Sequence, residues 1–256
     1  MIDFKNIEEV MEVLNNPGFD VEKVRKDFQY LDIEGENIIY LDNAATTQRP
    51  RQVIEQIAEY YKYENANPLR GNHKLSLLST QAYEKSREHV RKFINADYRE
   101  EIVFTRNATE SLNLVAYAWG LQHLKANDEV LITRMEHHSN CVNWQFICEK
   151  TGAKLVYAEV NDDYGLDEED FIGKINNNTK IVSFSGASNV LSAVPNAEKL
   201  IRAAHEKGAI AILDGAQLVP HEKVDVNKLD CDFLAFSGHK MLAPMGIGVV
   251  YGKKKL

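Results

Sequence analysis

Cysteine is scarce in this chain. Only Cys141, Cys148 and Cys231 occur among 256 residues. An odd number of thiols without metal-ligand spacing excludes a disulfide framework and a cysteine-built zinc site, and points to a reduced, cytoplasmic protein. Long apolar runs are also missing, and nothing approaches the roughly 20 residues that span a bilayer. The opening Met-Ile-Asp-Phe-Lys-Asn-Ile-Glu-Glu has neither the apolar core nor the small-residue cleavage site of a secretory leader. A basic excess is lacking too. Thirty Lys and Arg stand against 38 Asp and Glu, a formal charge of −8, which argues against nucleic-acid or anionic-membrane partners. There is no internal repeat, low-complexity tract or flexible linker. What is present, 44% hydrophobic residues, suffices for a sizeable core.

Residues 1–36 are polar and helical in pattern. Ile7, Val10, Met11 and Leu14 form one apolar stripe, Asn16-Pro17-Gly18 breaks it, and Gly35 precedes the main body. This segment is expected to be an N-terminal helical arm docked on a domain formed by 37–256. In that domain, short β-branched runs at 38–41, 102–104, 130–133, 154–160, 180–184, 209–213, 233–236 and 248–251 predict strands. Between them run helical stripes, Leu112, Val115, Ala116 and Trp119 on one and Leu200, Ile201, Ala204 and His205 on another. Gly120, Gly152 and Gly208 are expected to end helices. Cys141 and Cys148, seven apart in a predicted helix, should share a face and serve packing. Strand–helix alternation with apolar strands predicts an α/β domain, a mostly parallel sheet sandwiched by helices.

In such sheets ligands bind beyond the carboxyl ends of the strands. The run 102–104 leads through Thr105-Arg106-Asn107-Ala108-Thr109-Glu110 into a helix, which makes an anion site or merely a cap. The run 209–213 ends in Asp214-Gly215-Ala216-Gln217, where a partly desolvated carboxylate wants a cation or serves as another cap. The run 233–236 ends in Ser237-Gly238-His239-Lys240, where a lysine beside polar neighbours can act as an amine nucleophile or be a surface lysine. After 130–133 come Arg134-Met135-Glu136-His137-His138. Adjacent histidines point in different directions, so no shared metal is expected. Taken together these residues fit one ligand, pyridoxal 5′-phosphate. It needs an amine for a Schiff base (Lys240), an acid at the ring nitrogen (Asp214), a helix N-terminus with hydroxyls for the phosphate (Thr109 with Ser237 and His239), and a flat side chain on the ring (His137).

From about Tyr40 onward the chain resembles the class V, fold-type I pyridoxal-phosphate enzymes, and within them the SUF-type cysteine desulfurases and selenocysteine lyases. The resemblance rests on Tyr40-Leu41-Asp42-Asn43-Ala44-Ala45, Arg70-Gly71-Asn72-His73, Ala108-Thr109-Glu110, Met135-Glu136-His137-His138, Ser188-Asn189-Val190-Leu191, Asp214-Gly215-Ala216-Gln217 and Ser237-Gly238-His239-Lys240, in that order. It implies the fold-type I large domain. It also implies a reaction taking L-cysteine, or a similar small amino acid, to L-alanine and enzyme-bound sulfur for iron–sulfur cluster assembly. By resemblance Lys240 carries the cofactor and moves the Cα proton, Asp214 faces the ring nitrogen, and Gln217 and Asn189 lie near the ring hydroxyl. His137 stacks on the ring and is a possible proton shuttle. Ala108, Thr109, Ser237 and His239 belong to the cofactor set, while Asn189, Ala45 and Arg70 are expected near substrate. Arg70 matches a position that reaches a neighbouring subunit's site, so a homodimer and a sulfur-acceptor protein are implied as partners.

The resemblance also shows departures. The family's nucleophilic cysteine loop and substrate-carboxylate arginine lie in a later, small C-terminal domain. The sequence ends at Leu256 before reaching them, so a truncated form is expected. None of the three cysteines matches the nucleophile, and turnover by this chain alone is doubted. A non-catalytic cofactor-binding or dimerisation module is the alternative, as is a related enzyme acting on selenocysteine. Leu69 and Ser192 stand where relatives often have histidine and glycine.

Overall fold

Seven of the eight predicted apolar runs become strands, because each lies between helices that cover it on both faces. The computed structural model describes residues 20–33 and 38–256. The stripe at Ile7–Leu14, the Asn16-Pro17-Gly18 break and Gly35 lie outside them. The strands are β1 (Ile102–Thr105), β2 (Glu129–Thr133), β3 (Lys154–Ala158), β4 (Thr179–Ser185), β5 (Ile210–Asp214), β6 (Phe233–Ser237) and β7 (Gly248–Gly252). They form one sheet in the order β1-β7-β6-β5-β4-β2-β3. Every pairing is parallel except the two made by β7. One reversed strand in a parallel sheet leaves the carboxyl ends of β2, β4, β5 and β6 side by side on one edge.

The alternation of side chains divides the core in two. Leu131, Val182, Phe184, Ala211, Leu213, Leu234, Phe236 and Tyr251 face one way. They pack against Phe171 of the helix Glu168–Lys174 and against Leu200, Ile201 and Ala204 of the helix Ala197–Glu206. Val130, Ile132, Ile181, Ile212, Ala235 and Val250 face the other way, onto Leu112, Val115, Trp144 and Ile147. Cys148 is buried and Cys141 partly buried in this second layer, while Cys231 is buried in the first. The sheet is therefore apolar on both faces, as a parallel sheet requires.

Three local expectations are corrected. The segment Ile38–Leu41 is not a strand. The Tyr40 hydroxyl donates to the Thr46 carbonyl at 2.6 Å, and Ile39 and Leu41 are 77% and 87% exposed. The segment pairs with none of the seven strands, so its alternation finds no partner. The run at 154–160 pairs with β2 only as far as Ala158, and Val160 turns to an isolated antiparallel bridge with Leu166. Gly120 does not end its helix either. It closes a π-helical turn, Ala116–Gly120, that runs on into Leu121–His123. A Cβ there would stand 3.0 Å from the Trp144 ring, so glycine serves close packing. Gly152 and Gly208, at φ 76° and 74°, follow their helices in the left-handed conformation expected of them. Ser192 has no positive φ, so its backbone does not require glycine.

Candidate active site

The strand ends enclose a cavity of about 480 Å³, within the range of cofactor sites. Its wall includes Ala45, Ala108, Thr109, His137, Asn189, Asp214, Gln217, Ser237, His239 and Lys240. The fold thus brings together residues from six separate stretches of chain. Arg70 does not line it and lies exposed on the outside.

Each wall is built by local chemistry. After β1, Asn107 takes the capping role, its Oδ1 accepting from the Glu110 N–H at 2.8 Å. The Ala108 N–H donates to Ser237 Oγ at 2.7 Å, which leaves the Ser237 proton free to point into the cavity. The Thr109 N–H has no acceptor among the described residues. This helix start therefore presents an unpaired backbone donor and two hydroxyls to an anion. Gly248 makes the approach possible, since a Cβ there would lie 2.5 Å from the Asn107 backbone. Sequence reasoning missed Gly248; its only signal was a glycine opening a strand.

Asp214 closes β5 and is 4% exposed. Its Oδ1 accepts from the Ala216 N–H at 2.9 Å, and no further hydrogen bond reaches it among the described residues. The following short helix, Leu218–His221, has Gln217 at its N-cap position, so Asp214 is not that helix's cap. Burial raises the Asp214 carboxyl above its ordinary value, against the Ala216 N–H and the charges of Lys240 and His137. Burial lowers Lys240 below the ordinary ammonium value, with Asp214 opposing. His239 is lowered by burial and by the cations of Lys240 and Arg49. A desolvated amine and a desolvated acid thus face one cavity.

The mouth is strapped by residues 44–49, the segment that follows Ile38–Leu41. The Gln217 Nε2 donates to the Ala44 carbonyl at 2.7 Å. The Thr47 N–H donates to the His239 carbonyl at 2.9 Å, and Thr47 Oγ1 accepts from the Leu242 N–H at 2.9 Å. Arg49 Nε donates to the Ala243 carbonyl at 3.1 Å. These bonds hold Ala44 and Ala45 over the cavity and fix the loop that carries Lys240. His137 is exposed at the wall, its Nδ1 2.8 Å from Ser139 Oγ. No thiol lines the cavity. Burial pushes Cys148 up to about 11 and Cys231 up to about 12, while Cys141 Sγ sits 3.7 Å from the Tyr157 hydroxyl.

A mostly parallel sheet with this strand order, flanked by helices, defines an α/β class, and comparison with known proteins makes it specific. The class-V aminotransferase family matches residues 39–256, and the chain belongs to that family. It is 50% identical over 93% of its length to a cysteine desulfurase of Synechococcus elongatus, covering 38% of that protein. It is 49% identical over 91% of its length to a probable cysteine desulfurase of Synechocystis, covering 56% of it. Among solved structures, cysteine desulfurase from Thermococcus onnurineus superposes with a TM-score of 0.86 at 43% identity, over 92% of this chain and 57% of that one. The chain thus spans about half the length of these relatives. Among the described residues, no helix is long and apolar enough to cross a membrane.

Proposed function

We propose that residues 37–256 form the cofactor-binding domain of a pyridoxal-phosphate-dependent cysteine desulfurase, with 1–36 as its arm. One observation carries this reading: Lys240 and Asp214, both desolvated, share a cavity with the unpaired Thr109 N–H and the Ser237 hydroxyl. An amine, an acid and an anion site are the three functions that a phosphorylated pyridine aldehyde requires. When bound, this group supplies an electron sink for the Cα–H bond of an amino acid.

The chain's residues divide the remaining work. Lys240 Nζ, favoured in its neutral form by burial, offers a nucleophilic amine and can carry a proton. Asp214 would hold a cation at the ring nitrogen, and Gln217 would contact the ring hydroxyl beside Asn189. Ala108, Thr109, Ser237 and His239 would hold the phosphate, while His137 would lie against the ring. L-Cysteine is the substrate by likeness to the relatives, with Ala45 and Asn189 near it. Sulfur abstraction needs a thiolate at the cavity, which Cys141, Cys148 and Cys231 do not provide. A homodimer would give the exposed Arg70 a neighbouring site, and a sulfur-acceptor protein and a cytoplasmic setting complete the reading.

The test is reconstitution with pyridoxal 5′-phosphate. The wild-type chain is expected to develop visible absorbance and to retain cofactor covalently after borohydride, and Lys240→Ala to lose both completely. Covalent retention by Lys240→Ala would remove Lys240 from its role.

A further inference from the structure

Behind the cavity wall lies a carboxyl group that these assignments leave unused. Glu136 precedes His137 and is half-buried, its carboxyl lying between the ends of β2 and β4. Four groups surround it. Oε1 meets the Thr133 hydroxyl and the Ser185 N–H at 3.0 Å, and Oε2 meets Asn140 Nδ2 at 2.6 Å and Ser185 Oγ at 2.9 Å.

Two of these partners cannot reverse. The Ser185 N–H only donates. Asn140 is fixed because its Oδ1 accepts from Trp144 Nε1 at 3.2 Å and from Ser183 Oγ at 2.6 Å. An indole N–H has no acceptor role, so Asn140 must turn its NH₂ to Glu136. The two hydroxyls can reverse in principle. Thr133 is 1% exposed and also receives the Met135 N–H, so a reversed Thr133 proton would have no acceptor. Ser185 differs, since it lines the cavity and a reversed proton would point at the ligand.

We propose that Glu136 is a positioning residue that sets, through Ser185, whether the cavity meets a hydroxyl donor or a hydroxyl lone pair. With Glu136 ionised, Ser185 donates to Oε2 and offers the ligand only an acceptor. With Glu136 neutral, the Oε2 proton is donated to Ser185 Oγ, and the serine proton turns into the cavity. No proton is lost between these groups; the one Glu136 gains comes from solvent.

The electrostatics place this exchange near neutrality. Burial raises Glu136 to about 7 against the bonds from Thr133, Asn140 and Ser185, and the Asp214 charge raises it further. Asp214 stands beside Ser185 across the β4–β5 register, and is itself faced by Lys240 and His137. The ligand class follows the cofactor reading, but the proton exchange does not depend on it.

Infrared spectroscopy of the ligand-free chain tests the proposal. The wild type is expected to show a protonated-carboxyl stretch that titrates with a midpoint near 7. Glu136→Gln should lose it. Because glutamine cannot satisfy both Asn140 Nδ2 and the Ser185 N–H, Ser185→Ala is the second variant. It keeps both fixed donors but removes the acceptor of the carboxyl proton, so the stretch should shift in frequency and midpoint. Absence of a titrating stretch, or one untouched by Ser185→Ala, would overturn the proposal. Failure of the wild type to bind pyridoxal phosphate while the stretch behaves as expected would sink the cofactor reading and support the proton exchange.

Discussion

Asp214 and Asp232 lie at opposite ends of neighbouring strands, and they are treated in opposite ways. Both are almost fully buried, at 4% and 3% exposure. At the amino end of β6, Asp232 accepts from His205 Nε2 at 2.7 Å, the Ala211 N–H at 2.9 Å and Lys253 Nζ at 3.0 Å. Asp230 adds ion pairs to the same histidine and lysine. At the carboxyl end of β5, Asp214 accepts one backbone N–H and opens on the cavity. A carboxylate saturated by its own chain ties elements together, here β5, β6, β7 and the helix Ala197–Glu206. One left under-satisfied is held above its ordinary pKa and has capacity for an external cation.

That contrast is open to attack by substitution. Asp232→Ala leaves the buried Ala211 N–H without its acceptor and His205 and Lys253 with Asp230 alone, and should cost about 1–3 kcal/mol of stability, the usual effect of stranding a buried donor. Urea unfolding measures it, and cofactor binding by the folded protein should stay near wild type. Asp214→Asn should do the reverse. It should leave urea stability unchanged or raised and weaken pyridoxal phosphate retention roughly 10–100-fold, equivalent to about 1.5–3 kcal/mol for a charged hydrogen bond. A large stability loss in Asp214→Asn with intact retention would merge the two residues into one structural class.

The pH dependence of stability sharpens the same contrast with a smaller effect. Glu136 and Asp214 have folded values above their ordinary ones, so their contribution is full at low pH and fades as pH rises, for Glu136 through about 7. Asp230 is held below its ordinary value by Lys253 and His205, so its contribution is present at neutral pH and lost in acid. The melting temperature of the ligand-free chain should therefore decline between about pH 5 and pH 7.5. That decline should flatten in Glu136→Gln or Asp214→Asn and survive in Asp230→Ala.

How much of this was legible in the sequence differs by region. The strands were legible because a sheet covered on both faces needs continuous apolar runs, and Leu131, Val182 and Ile212 supply them. The strand-end residues were legible because Asp214 and Lys240 interrupt those runs at one step. Ile38–Leu41 misled because alternation reports the preference of a backbone and says nothing of whether a partner edge exists. The pairing of Glu136 with Ser185 escaped notice because a carboxyl and a hydroxyl 49 positions apart carry no mutual signal until β2 and β4 pair.

Local chemistry therefore fixed the class of fold, the apolar strands, the αL glycines and the polar residues at the strand ends, since these depend on period, propensity and neighbours a few positions away. Tertiary structure alone decided that Asp232 would be saturated and Asp214 left open. It also decided that Gly120 would seat Trp144 instead of ending a helix, and that residues 44–49 would strap the cavity. Each of those outcomes turns on desolvation and hydrogen bonding between residues distant in sequence, and neither exists before the chain has folded.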